Sequence, residues 1–328
     1  MTKYSLWESI TFYCFFIMAT LTVFTPAYNR AHTIGRTYES LCRQTCKDFE
    51  WLVVDDGSAD NTKELVLSWL HDIRDFTNQQ DAFEGRSDNG FRVRYIWKEN
   101  GGLYTGYNTA YANIDTELCV CIDSDDWMPD DAVEKILRCW REKGCDRYAG
   151  IMGLDFDTEG NPLGGYFPEG LTETYFLDMY IKGIHKADSK EVMRTKLMKK
   201  VAPQEGFAGE KNFNPVYMLL QVCDDYPLIV LNENLCTVEY QQDDSMSRGI
   251  YRQYMNSPRS FAKLRLLEMK LKRNTPLHRL RAAIHYVSSC IIAKDNNWLS
   301  QASNKPLVLA AAPVGWVLSR YIKYKAKE

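Results

Sequence analysis

Several absences narrow the reading before any motif is considered. No G-x-G-x-x-G follows the first strand and nothing resembles a P-loop, which disfavours a dehydrogenase or a nucleotidyltransferase. No C-x-x-C pair occurs among the ten cysteines, which are scattered through apparent strands and helices. Cys119 and Cys121 point the same way from one strand and do not bond to each other, so the chain reads as reduced and cytosolic. The five histidines (His32, His71, His185, His278, His285) lack metal-ligand spacing. A net charge of -3 argues against nucleic acid as the main partner. The apolar run Ile10 to Met18 is too short for a membrane span of about 20 residues unless it takes in the first strand. A secretory signal is poorly served by Lys3 and opposed by Glu8.

What the chain has is acid at the tips of strands. The run Cys119-Val120-Cys121-Ile122 ends in Asp123-Ser124-Asp125-Asp126, three carboxylates in four residues. One capping acid is enough for the helix expected over Pro129 to Lys143, and clustered carboxylates repel unless a positive charge sits among them. A divalent cation holding a diphosphate is the natural candidate. A second strand, Phe49 to Val54, ends in Asp55-Asp56-Gly57-Ser58 ahead of a helix over Thr62 to His71. A third, Ala19 to Phe24, stops at Thr25-Pro26-Ala27-Tyr28-Asn29-Arg30 before a helix near Ile34 to Gln44. Strand, polar tip and helix repeated in this way predict a parallel sheet with helical crossovers, so all three tips meet at one edge.

Those strings also carry a family resemblance. Thr22 to Arg30, then Tyr38-Glu39-Ser40-Leu41 with Gln44-Thr45, Phe49 to Ser58, Glu99-Asn100-Gly101-Gly102 and Asp123-Ser124-Asp125-Asp126 together resemble the opening of a family 2 glycosyltransferase. The match is close over about residues 18 to 150. The resemblance implies the α/β, A-type glycosyltransferase fold: a mostly parallel central sheet flanked by helices, with a helical C-terminal extension here. It also implies a nucleotide-sugar donor, a divalent metal (Mg²⁺ or Mn²⁺) and inversion at the anomeric carbon.

Chemistry then suggests roles. Asp55 and Asp56 are candidates to read the edge of a uracil or other base, and the resemblance implies that at least one does. The loop Thr25, Pro26, Ala27, Tyr28, Asn29, Arg30 offers backbone amides and a hydroxyl to base and ribose. Arg30 pairs with phosphate or stays solvated. Asn100 and Gly101, with Gly102, permit close backbone approach or simply form a tight turn. Lys98 points to the same edge, within reach of phosphate. Asp123 and Asp125 resemble the family's two acidic positions: Asp125 is first choice as metal ligand, with Asp123 and Ser124 nearer the ribose and first phosphate. Asp126 is left as ligand, supporting partner or helix cap.

Inversion needs a general base for the acceptor hydroxyl. Many relatives carry Glu-Asp before a helix such as the one expected over Pro215 to Val222. Here the pair is Glu210-Lys211, leaving Glu210 as the expected base or, alternatively, a charge at a helix N-terminus. Glu205 is runner-up and Asp188 a more distant choice. Phe156 to Pro168 reads as a loop, Thr172 to Ile181 and Lys190 to Lys199 as mixed, and Leu228 to Leu231 and Leu235 to Glu239 as two short strands. In the polar loop Gln241 to Arg248, Arg248 reaches the diphosphate or lies on the surface.

The expected organisation is an extension over 1–17 not needed for folding, with Met18 as the true start, then a catalytic domain over 18–255. The nucleotide-sugar half covers 18–150 and the acceptor half 151–255. A basic helical extension over 256–328 follows, carrying Lys263, Arg265, Lys270, Lys272, Arg273, Arg279 and Arg281. Its last segment, 306–328, pairs apolar Leu307 to Leu318 with Trp316, two tyrosines and four cations, and Pro313 and Gly315 break it. That resembles an anchor lying on a membrane surface, or else a helix packed on the protein. With an anchor, the acceptor is a saccharide on a polyisoprenoid at the inner face of the cell membrane, in capsule, exopolysaccharide or lipopolysaccharide synthesis. A nucleotide-sugar-binding protein without transferase activity remains the alternative.

Overall fold

Seven-residue runs such as Phe49–Asp55, apolar at nearly every position, suit strands covered on both faces. They form the centre of one ten-stranded sheet in the computed structural model, which describes residues 19–75, 81–239 and 249–327. The expected extension 1–17 and the loop Gln241 to Arg248 lie outside the described residues.

In chain order the first half runs β1 (Leu21–Ala27), α1 (Ile34–Arg43), β2 (Phe49–Asp55), α2 (Thr62–Ser68), β3 (Leu70–Asp75), β4 (Ala82–Ser87), β5 (Arg92–Trp97), α3 (Leu103–Asn113), β6 (Leu118–Cys121) and α4 (Ala132–Lys143). The second half adds β7 (Gly150–Phe156), β8 (Glu173–Thr174), α5 (Phe176–Ile181), β9 (Ser189–Arg194), α6 (Thr195–Val201), α7 (Val216–Cys223) and β10 (Leu228–Thr237). Five helices close the chain: α8 (Ile250–Asn256), α9 (Pro258–Lys270), α10 (Pro276–Ala293), α11 (Trp298–Gln301) and α12 (Lys305–Lys325).

The strand order is β3-β4-β5-β2-β1-β6-β9-β7-β10-β8. Its centre, β5-β2-β1-β6, is parallel, as the strand–tip–helix repeat requires. Both flanks are mixed: β4 runs antiparallel to β3 and β5, and β9 runs antiparallel between β6 and β7. That reversed strand brings its first residues, Ser189 to Glu191, to the edge where the parallel strands end. The core has two layers, one under α1 and α4 and one under α3, α6 and α7, with a third cluster among α9, α10 and α12.

Four expectations need revision. Strand β1 continues to Ala27, because Thr25, Pro26 and Ala27 stay in register with Val53, Val54 and Asp55. Helix α2 ends at Ser68, since Leu70 onward pairs with β4. The two short strands after Pro227 are one strand, β10, with register shifts near Asn234. Helix α12 runs unbroken through Pro313, whose ring lies on its exposed side. Among the described residues no helix is long and apolar enough to cross a membrane.

Candidate functional site

The segment Asp123 to Trp127 is held from two sides. Thr37 Oγ1 on α1 donates to the Asp126 carbonyl at 2.7 Å, Arg36 Nη2 to the Asp125 carbonyl at 3.3 Å, and Asp126 N–H turns back to the Asp123 carbonyl at 3.0 Å. Trp127 exchanges backbone bonds with Thr237 of β10 at 3.2 and 2.7 Å. This pinning buries Ser124 and Asp126, exposes Asp123 and leaves Asp125 half-buried. Asp125's carboxylate takes no hydrogen bond from any described residue. Asp123 Oδ1 has only the Cys121 thiol, at 3.7 Å.

Asp123 and Asp125 open onto a cavity of about 500 Å³. One wall is aromatic, with Phe24, Tyr107, Tyr111 and Phe176; the other carries Asp126, Asp155, Asp188, Lys190 and Glu191. Lys190 Nζ lies 3.7 Å from Asp155 Oδ1. Burial alone lowers an ammonium's pKa, yet Asp155, Asp126 and Asp123 outweigh it and hold Lys190 well above the usual lysine range. Burial pushes Asp126 up to about 7, against Lys190 and with help from Asp123, Asp125 and Asp155. Asp155 rises to about 6 and Glu191 to about 8, burial again leading. A positive charge was expected among these acids, and the fold supplies one in Lys190. Lys190 lies against Asp155, which leaves Asp123 and Asp125 open to a further cation.

Among the described residues no cluster of three metal-ligating side chains exists. Two carboxylates with free lone pairs suit Mg²⁺ or Mn²⁺, hard ions that commonly take one or two protein carboxylates and complete their shell with substrate phosphate and water. Asp125 and Asp123 therefore fit the expected metal.

The loops expected to bind nucleotide are more fully satisfied internally than their sequence suggests. Thr25, Pro26 and Ala27 are buried in β1, and the Thr25 hydroxyl accepts from Trp51 Nε1 at 3.0 Å. That hydroxyl faces the core and not a ligand. Asp55 is wholly buried, accepting from Ser58 N–H at 2.7 Å and the Tyr95 hydroxyl at 2.6 Å. Asp56 accepts from Gly101 N–H at 3.0 Å, Gly102 N–H at 2.8 Å, Thr105 Oγ1 at 3.2 Å and the Lys98 ammonium. Lys98 also donates to the Glu99 carbonyl and Thr105, so its charge is compensated by Asp56 and its three protons are spent. Asn100 binds Asp56 through its amide nitrogen and accepts from Lys211 through its oxygen. Asp55, Asp56, Lys98, Asn100 and Gly101 are thus bonded within these loops and strands, where the sequence suggests direct ligand contacts. Gly102, at φ +95°, is required: a Cβ there falls 1.9 Å from the Lys211 carbonyl oxygen. Asn29, in the left-handed region at φ 54°, crosslinks the two loops through Ser58 and Ala59. In the same loop Tyr28 is 49% exposed and the Arg30 guanidinium meets no described partner.

Glu210, the expected base, is placed away from the cavity. Its buried carboxylate accepts from Arg259 N–H and Nε at 3.0 and 2.9 Å and from Ser260 N–H and Oγ at 2.8 Å each. It caps the N-terminus of α9 and does not line the cavity. That geometry is the kind the alternative reading, a charge at a helix terminus, calls for, although the helix is α9 and not α7. Lys211 is turned toward Asn100, and Glu205 is exposed away from the cavity wall. Asp188, the most distant choice, is on that wall, and no described residue bonds its carboxylate.

Lys190, Glu191, Asp155 and Arg36 were missed. Asp155 carried the signal used elsewhere, an acid at the end of an apolar strand. Lys190 and Glu191 lay in a stretch that read as mixed, because β9 is short and reversed.

The family model for glycosyl transferase family 2 matches residues 22–200. Glycosyltransferase GlyA of Streptococcus pneumoniae is 31% identical over 118 residues, 36% of this chain and 14% of GlyA, so only a small part of that curated relative is spanned. S. aureus TarS 1-349, solved with UDP-GlcNAc, superposes with a TM-score of 0.56 at 17% identity, covering 89% of this chain and 79% of that one. A mannosyltransferase from Pyrobaculum calidifontis, solved with GDP-Man and Mn²⁺, gives 0.52 at 14% identity, covering 94% and 83%. These likenesses show an A-type glycosyltransferase fold with a helical C-terminal region.

Proposed function

The chain belongs to glycosyl transferase family 2, and from that premise we propose that it moves a sugar from a nucleoside-diphosphate donor to a saccharide acceptor with inversion at the anomeric carbon. The observation that carries this reading is the pair of carboxylates at the rim of the cavity where the parallel strands end: Asp125 takes no hydrogen bond from a described residue and Asp123 only the long one from the Cys121 thiol. A uracil nucleotide is the preferred donor, as in the TarS complex with UDP-GlcNAc. The base sits between the Asn29 and Asn100 loops, near Tyr28, and the diphosphate lies toward Arg30 and Asp123.

Asp125 and Asp123 hold the divalent cation, which when bound stabilises charge growing on the departing diphosphate. Lys190 keeps Asp155 and Asp126 from adding their full repulsion to that charge. The acceptor hydroxyl enters from the β9 side and loses its proton to Asp188, whose carboxylate is unbonded and faces the cavity. The acceptor is proposed as a lipid-linked saccharide presented at the inner face of the cell membrane, in the building of a surface polysaccharide. The catalytic unit is taken as 18–255 and the basic extension as 256–328.

The test is thermal stabilisation and nucleoside-diphosphate release over a panel of nucleotide sugars, with and without Mn²⁺. We expect a Mn²⁺-dependent rise in melting temperature with one uridine donor, lost in Asp125→Asn. No stabilisation by any donor, or equal stabilisation in Asp125→Asn, overturns the proposal.

A further inference from the structure

The outward face of α12 has no polar reason to be exposed. Its inner edge, Val308, Ala311, Gly315, Ser319 and Ile322, recurs every three or four residues and is buried. Gly315 lets α12 press onto α10, since a Cβ there falls 2.7 Å from Val287 Cβ and 2.9 Å from the Ile284 carbonyl oxygen. The opposite side carries Leu309, Val314, Trp316, Val317, Tyr321 and Tyr324, each between 46% and 62% exposed. A helix lying on a water-soluble surface normally turns polar residues outward. Here its solvent side is an apolar stripe ending in aromatic rings.

Charge says what covers that stripe. Between residues 305 and 327 there are five cations (Lys305, Arg320, Lys323, Lys325, Lys327) and no acid. Residues 256–328 hold fourteen Lys and Arg against three Asp and Glu, in a chain whose net charge is -3. Positive charge is therefore segregated to this end. The Arg320 guanidinium lies 5.3 Å from the Trp316 ring, so a cation sits beside the apolar stripe at its aromatic end. A second copy of the chain would meet this face with like charge, and a nucleic acid offers nothing to bury leucine, valine and tryptophan. An anionic bilayer offers both acyl chains and negative headgroups, with tryptophan and tyrosine favoured at their boundary.

We propose that α12 docks in the plane of an anionic membrane surface, Leu309 to Val317 entering the acyl boundary and Arg320 to Lys327 meeting headgroup phosphates. The docking deepens the reading of a membrane-presented acceptor and gives it a physical route. Helix α9 is joined to the acceptor side by the Glu210 cap, and α10, which contacts α9, carries α12. A membrane-bound α12 thereby fixes the acceptor side relative to the lipid.

The experiment is flotation of the full chain with vesicles of phosphatidylcholine alone or with about one-third phosphatidylglycerol, at low and high salt. The variants are Trp316→Asp/Val317→Asp, Arg320→Glu/Lys323→Glu and, as a second apolar variant, Tyr321→Ser/Tyr324→Ser. All six lie outside the inner edge, although the Tyr321 ring also meets Tyr251 of α8 at 5.8 Å between centroids, and melting temperature checks that each variant folds. We expect flotation only with the anionic vesicles, weakened by salt and cut at least fivefold by each pair of changes. Equal binding to neutral vesicles overturns the proposal, as does flotation unchanged by all three variants. A lipid-free dimer dispersed by Trp316→Asp/Val317→Asp assigns the face to a second copy, and retention on an RNA column lost in Arg320→Glu/Lys323→Glu assigns it to nucleic acid. Flotation needs no turnover, so it reads the docking even if the transferase reading fails. Donor cleavage in lipid-free buffer, unchanged in these variants, reads the chemistry alone.

Discussion

Replacing Glu210 by glutamine separates a helix cap from a catalytic base. The native carboxylate is 5% exposed and accepts four hydrogen bonds, two from Arg259 and two from Ser260. Glutamine keeps one acceptor oxygen and turns an NH₂ group toward partners of which only the Ser260 hydroxyl can accept. Hydrogen bonds to a charged group are worth about 1.5–3 kcal/mol each, and the lost charge at a helix N-terminus adds about 0.3–1 kcal/mol. The Arg259 side chain is 45% exposed, so its share is screened and contributes little. Losing the two bonds on one oxygen, with some relaxation, costs about 2–4 kcal/mol. At roughly 2–3 °C per kcal/mol for a chain of this size, the melting temperature falls by about 5–10 °C. If the acceptor's proton goes to Asp188 as proposed, turnover per folded molecule stays within about threefold. Asp188→Asn should behave in the opposite way. Its carboxylate has no partner to lose, so stability changes by less than about 0.5 kcal/mol. Turnover falls roughly 10²–10⁴-fold, the usual contribution of a general base. Calorimetric melting and nucleoside-diphosphate release on the same preparations provide the assay. A Glu210→Gln protein that melts like wild type yet loses turnover a hundredfold refutes the reasoning and returns the base to Glu210.

Two further outcomes follow from the geometry. Gly102→Ala drives a methyl into the Lys211 carbonyl and should cost several times what Gly90→Ala costs, since Gly90 at φ +83° has nothing within 4 Å; urea unfolding of both compares steric clash with backbone strain alone, and equal losses refute the close approach. Glu191, raised to about 8 by burial, keeps its proton in the folded state over a range where the unfolded chain loses it. Stability therefore falls as pH rises from about 4.5 to about 8. Glu191→Gln should melt with a weaker decline across that window, and parallel curves for variant and wild type disprove the raised pKa of this half-buried acid.

Much of the nucleotide half was legible in residue order. Apolar runs ending in Asp55-Asp56, Asp123-Ser124-Asp125-Asp126 and the Tyr28–Arg30 loop could form only parallel strands with one polar edge, because side-chain period and crossover helices leave no other packing. The metal-fitting pair Asp123 and Asp125 came from the same rule. The direction in which each side chain faces was not legible. Thr25, Asp55, Asp56 and Lys98 sit at the expected edge, yet they satisfy one another, and a hydrogen-bond partner forty residues away leaves no trace in local sequence.

The sequence alone determined the strand-tip acids, the parallel centre of the sheet and the basic, helical end of the chain, since these depend on composition and on periods of two and of about 3.6 residues. Tertiary structure decided the rest. It turned β9 against its neighbours so that Lys190 and Glu191 reached the acids, and it spent Glu210 on a helix fifty residues downstream. It also pressed α12 onto α10 with one face left bare. Each of these outcomes depends on which surface meets which, a choice made by packing between distant segments and not by any segment's own pattern.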